Sequence, residues 1–114
     1  VEDDGLQYMS WCWRAGGDPK WCSDGSRNSL NSTSVKAGFS IMQFTGNGSA
    51  GATVGHGLGK RPKFMIFKNH DVAYNWIVWV DGIGANYLEF NTTSGMKAQS
   101  SYNMFNSVEP SSST

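Results

Sequence analysis

"GATVGHGLGKRPKFMIFKN", residues 51–69, decides how this chain is read. Glycines surround His56 and Leu58, and beyond Pro62 an apolar run extends from Phe64 to Phe67. A turn-dense segment feeding a short apolar strand is the pattern of antiparallel β-structure with Gly-rich corners. A phosphate-cradling loop would have to open a helix whose first amides meet the anion. No helical period follows this segment or "GNGSAG" at residues 46–51, so neither is read as a nucleotide site.

His56 invites a catalytic reading, because it is a lone titratable group in a glycine-rich loop. Acyl transfer would need a nucleophile and an orienting carboxylate as well. The chain has no Gly-x-Ser-x-Gly elbow and no carboxylate close to His56 in sequence. The structural alternative is simpler. His56, Gly57, Gly59 and Pro62 form a corner in which the imidazole bonds backbone groups, the glycines take positive φ and Pro62 starts a strand at an edge. Leu58 is then expected to drop into the core, and no catalytic residue is assigned.

Outward from this corner, "GFSIMQFTG" (38–46), "YNWIVWVDG" (74–82) and "NYLEFNT" (86–92) are short aromatic runs separated by Gly- and Asn-rich turns. Their spacing predicts an all-β chain: an antiparallel β-sandwich or jelly-roll-like module with little or no helix. The expected core is Phe39, Ile41, Leu58, Phe64, Ile66, Leu88 and Phe90. The run from Phe64 to Phe67 is apolar on both faces, so both sides of that strand are expected to be covered. "GLQYMSWCW" (5–13) also alternates like a strand, whereas residues 14–37 are dominated by Gly, Ser, Asn and Asp and are read as a linker or long loop. This divides the chain into a strand at 1–13, a connection at 14–37 and a module at 38–114. The module ends in a serine run with no recognisable closing strand.

Composition supports that class. In 114 residues there are 14 Gly, 5 Trp, 4 Tyr and 6 Phe, and no stretch keeps apolar residues in helical register for three turns. Nine basic and nine acidic residues give a formal net charge of zero, which leaves no electrostatic footprint for nucleic acid or an anionic membrane. No apolar run reaches the roughly 18 residues that span a bilayer, so membrane insertion is not expected. Neither cofactor nor metal is called for. Two cysteines and two separated histidines lack zinc spacing. Glu2, Asp3, Asp4, Asp24, Asp71 and Asp81 lack the alternation of a calcium loop. Cys12 and Cys22 could close a short loop, but Cys12 sits in a strand-like run where a thiol serves as a small hydrophobe.

The aromatic residues carry the strongest binding signal. Trp76 and Trp79 lie three apart, on opposite faces of one strand, so at most one of them can line the main core. Trp76, Trp79 and Tyr87 are therefore the candidate contacts, either for an interface between copies or for a glycan stacked on an indole.

Residues 38–93 resemble a domain recurrent in tail fibre and other virion proteins of tailed bacteriophages, especially marine ones. The matching segments are "GFSIMQFTGNG", "HGLGKRPKFMIFK" and "NWIVW", with a Leu-containing strand ending "NTT". Met42 and Phe44 stand where that family has Val and Tyr, and "IVWVDGIG" replaces its Tyr-His pair. "GLQYMSWCWRAGG" resembles the segment that closes such a domain, which implies that residues 1–13 close an upstream one. The resemblance implies a non-enzymatic structural and host-adhesion module, assembled in the host cytoplasm and exposed on the virion. It further implies a homo-oligomer, with a trimer favoured, or contact with neighbouring virion proteins; a host cell-surface glycan is a further candidate partner. The rival reading is a stand-alone carbohydrate-binding module of a secreted protein, monomeric and disulfide-linked.

Overall fold

A computed structural model describes residues 5–99 and 108–114. The chain is all-β. Among the described residues, seven strands run β1 (Lys20–Cys22), β2 (Ser29–Ser34), β3 (Phe39–Gln43), β4 (Phe64–Phe67), β5 (Ile77–Val80), β6 (Asn86–Glu89) and β7 (Lys97–Ala98). They form two antiparallel sheets, β1-β2-β3 and β4-β5-β6-β7, and the described residues contain no α-helix.

Four of the aromatic runs become strands where expected, as β3, β4, β5 and β6. The stretch read as a connection does not stay irregular. Residues 14–37 hold β1 and β2, and β2 pairs along its length with β3, from Leu30 opposite Gln43 to Ser34 opposite Phe39. The reason lies in the composition of β2, "SLNSTS". Its inward positions are polar, so its two-residue period carries no apolar signal. Ser29 and Asn31 are buried, and both donate to the carbonyl of Gly55, at 2.9 and 2.8 Å. Thr33 continues the same face, its hydroxyl donating to the carbonyl of His56 at 3.3 Å. Hydrogen bonding, not oil, attaches this sheet to the corner.

The converse correction falls at the start of the chain. Residues 6–16 form no ladder, and Cys12, expected in a buried strand, is exposed. Leu6, Tyr8, Met9, Trp11 and Trp13 are all more than half exposed. Alternation supplies a strand's two faces but does not by itself build a ladder with a neighbouring strand. Trp13 stacks on Phe39, with centroids 5.9 Å apart and rings inclined by 17°.

The core also differs from expectation. Among the described residues the buried apolar core side chains are Val78, Trp79 and Tyr87. Of the seven expected core residues, Ile41, Phe64, Ile66 and Phe90 are exposed, and Phe39, Leu58 and Leu88 are half-buried. Register explains the outcome. Met65 lies opposite Trp79 and Tyr87 opposite Lys97, so these residues share the inner face of the four-stranded sheet. Phe64 and Ile66, one residue out of phase, fall on the other face, where their partners Val80 and Val78 are half-buried and buried while Phe64 and Ile66 themselves stay exposed. The expected absence of a closing strand bears on residues 100–107, which lie outside the described residues, as do Glu2, Asp3 and Asp4.

Candidate functional site

The corner between the sheets is built around His56, which is 4% exposed. Its Nδ1 accepts the amide of Leu58 at 3.1 Å, which leaves the ring proton on Nε2, facing the Ser111 carbonyl at 3.4 Å. The His56 amide donates to the Ser113 carbonyl at 3.1 Å. Gly57 and Gly59 have φ of 70° and 67°, in the left-handed region that favours glycine, and Pro62 is buried just before β4. At Gly57 a Cβ would also meet the Thr33 hydroxyl at 3.1 Å. His56, Gly57, Gly59 and Pro62 are thus brought together. Both ring nitrogens of His56 face backbone groups.

Ser111 through Thr114 fold back on this corner as a compact polar knot. The Ser111 hydroxyl accepts from the amides of Ser113 and Thr114, at 3.1 and 2.9 Å. Two residues upstream, Glu109 receives a hydrogen bond from Arg61 at 2.7 Å. Arg61 also pairs with Asp81 at 2.8 Å, and its guanidinium carbon lies 5.4 Å from the centre of the Trp79 ring. Lys63 is a second cation on Asp81. The hydrogen bond from Lys63 is the largest cause holding the Asp81 carboxyl below its ordinary value, with Arg61 adding to it. On the same sheet Lys97 bonds Glu89 at 2.8 Å and lowers that carboxyl in the same way.

The three aromatic candidates separate. Trp79 and Tyr87 are 0% and 1% exposed, so they are core residues and are corrected from surface contacts: neither presents a face to a glycan or a second copy. The cause is the inner-face register of β5 and β6 described above. Trp76 precedes β5 and remains 45% exposed, its amide donating to Asn91 Oδ1 at 2.9 Å and its carbonyl accepting from Phe90.

Sequence reasoning missed a second surface. A groove of about 560 Å³ lies on the outer side of the three-stranded sheet, lined among others by Trp21, Arg27, Asn28, Gln43, Phe44 and Thr45. Its aromatic members were legible as residue types, but Trp21 sits in the segment read as a connection. Cys12 and Cys22 are free thiols. Among the described residues no three His, Cys, Asp or Glu side chains are placed to hold a metal ion, and no helix is long and apolar enough to cross a membrane.

Compared with known proteins, the chain matches a domain of unknown function, DUF7483, over residues 1–114, and it belongs to that family. No curated protein and no solved structure matches it.

Proposed function

We propose that this chain is a non-enzymatic structural and adhesion module that works as a homo-oligomer, in a tail fibre or related appendage of a bacteriophage virion. The observation that carries the reading is uncovered apolar surface. The chain exposes 8593 Å², whereas a compact monomer of 12.4 kDa is expected to expose about 6,100 Å². Large apolar side chains on both sheets contribute to it. Phe64 and Ile66 are 53% and 44% exposed on one sheet, and Ile41 and Trp21 are 56% and 77% exposed on the other. Faces of that kind mark association surfaces.

The virion setting rests on the resemblance of residues 38–93 to fibre domains, and three favoured copies follow from the same likeness. Free thiols and a corner fixed by backbone hydrogen bonds suit a module that performs no chemistry. The test is sedimentation equilibrium of the chain and of Phe64→Glu/Ile66→Glu. A trimer or other closed oligomer that the double variant reduces to monomer is expected. A monomeric parent would overturn the reading and favour the carbohydrate-binding rival.

A further inference from the structure

We infer that the groove on the outer side of the β1-β2-β3 sheet is a binding site for an acidic saccharide, with Trp21 as the stacking platform and Arg27 as the carboxylate anchor. This deepens the adhesion half of the proposed function and rests on it.

The platform follows from register. Trp21 lies opposite Leu30, and Leu30 opposite Gln43, so the three side chains stand in one row across three strands on the outer face. Two strand spacings separate Trp21 from Gln43, about 10 Å. An indole stands at one end of the row, an amide at the other, and an apolar floor between them. Trp21 is 77% exposed, and Phe44 beside Gln43 is 42% exposed. Flat aromatic faces left in water next to primary amides suit a pyranose, whose C–H face stacks on a ring while its vicinal hydroxyls bond the amides.

The charge preference comes from Arg27. Among the described residues it is the only charged side chain lining the groove, and none of those lining it is a carboxylate. Its Nε is buried and has no hydrogen-bond partner, a donor whose desolvation the protein itself does not offset. A carboxylate in the groove pairs with the guanidinium of Arg27, a half-buried side chain that lines it, through a charge-assisted bond.

The loop carrying Arg27 is set in advance. Ser26 and Thr53 exchange hydrogen bonds, each amide donating to the other's hydroxyl at 2.9 Å, and the Arg27 amide donates to the Thr53 carbonyl at 3.0 Å. Gly25 lies so close to the Thr53–Val54 segment that a Cβ there would stand 2.8 Å from the Val54 Cα. Such a fixed loop lowers the ordering cost of binding. At about 560 Å³ the groove is within the usual size of small-ligand sites.

The experiment is calorimetric titration of the whole chain with trigalacturonate, with neutral maltotriose, and with inorganic phosphate. Trigalacturonate is expected to bind. Trp21→Ala and Arg27→Gln are each expected to weaken it about tenfold, with Trp21→Phe retaining most of the affinity. Maltotriose is expected to bind at least about tenfold more weakly than trigalacturonate. Absence of heat with trigalacturonate, or undiminished binding by Trp21→Ala, overturns the site. Equal binding of maltotriose overturns the acidic preference, and phosphate binding as tightly as trigalacturonate reduces the groove to a simple anion site. Sedimentation reads association and calorimetry reads saccharide, so the two proposals fail separately.

Discussion

The guanidinium of Arg61 lies 5.4 Å from the centre of the Trp79 ring and extends from there to Asp81 and Glu109. One side chain therefore caps the buried indole, pairs with the carboxylate that follows β5 and holds the segment leading into the terminal knot on His56. A lysine keeps the charge but not the planar group that stacks on the indole while one of its nitrogens, Nη2, bridges both carboxylates.

Arg61→Lys is accordingly expected to destabilise the chain by about 1 kcal/mol, and Arg61→Ala by about 2. Urea denaturation followed by tryptophan fluorescence measures both. Equal stability of Arg61→Lys and the parent would show that charge alone accounts for the contact.

His56→Ala removes the acceptor for the Leu58 amide and the group facing the Ser111 carbonyl, and leaves a cavity at a buried corner. A loss of about 2–4 kcal/mol is expected. His56→Asn should recover part of it, because an asparagine carbonyl oxygen can accept the amide two residues on, as Nδ1 does here. If alanine and asparagine were equally destabilising, the Leu58 contact would carry none of the effect.

The contrast between β2 and β5 shows what could be read in the sequence. "IVWV" announces a strand because its apolar side chains are the physical cause of its burial, whereas "SLNSTS" is buried through bonds to Gly55 and His56, 23–26 residues further on. No local pattern contains that partner. The corner at His56 was legible for the opposite reason, since glycines and proline constrain their own backbone. Which face of a strand is inside was not legible. Phe64 and Phe67 are equally apolar, and only the register with β5 exposes the first and half-buries the second. Trp79 was misplaced on the same account, and Trp21 was overlooked because its strand was.

Acid should destabilise the four-stranded sheet in a defined window. Asp81 is lowered from its ordinary 3.8, chiefly by the hydrogen bond from Lys63, and Glu89 from its ordinary 4.5, chiefly by that from Lys97. A carboxyl lowered in the folded state adds stability that is fully present above its unfolded value and is lost as pH falls through the folded one. Denaturation midpoints should therefore be level above about pH 5 as far as these two groups are concerned, and should decline below about pH 4.5. The double variant Asp81→Asn/Glu89→Gln should start lower and decline less. An identical slope in the variant would place the acid sensitivity elsewhere.

The Gly55 carbonyl takes two donors at once, Ser29 Oγ at 2.9 Å and Asn31 Nδ2 at 2.8 Å, in a buried position. Removing either donor leaves the other in place, so Ser29→Ala and Asn31→Ala are each expected to cost about 1–2 kcal/mol. Removing both strands a buried carbonyl with no side-chain partner, and the desolvation penalty of that group appears for the first time. The double variant is therefore expected to lose about 1 kcal/mol more than the sum of the singles. A double-mutant cycle in urea measures this directly. Strict additivity would mean that water reaches Gly55 once one donor is gone, and that the polar face of β2 is held by its ladder with β3 and not by the corner.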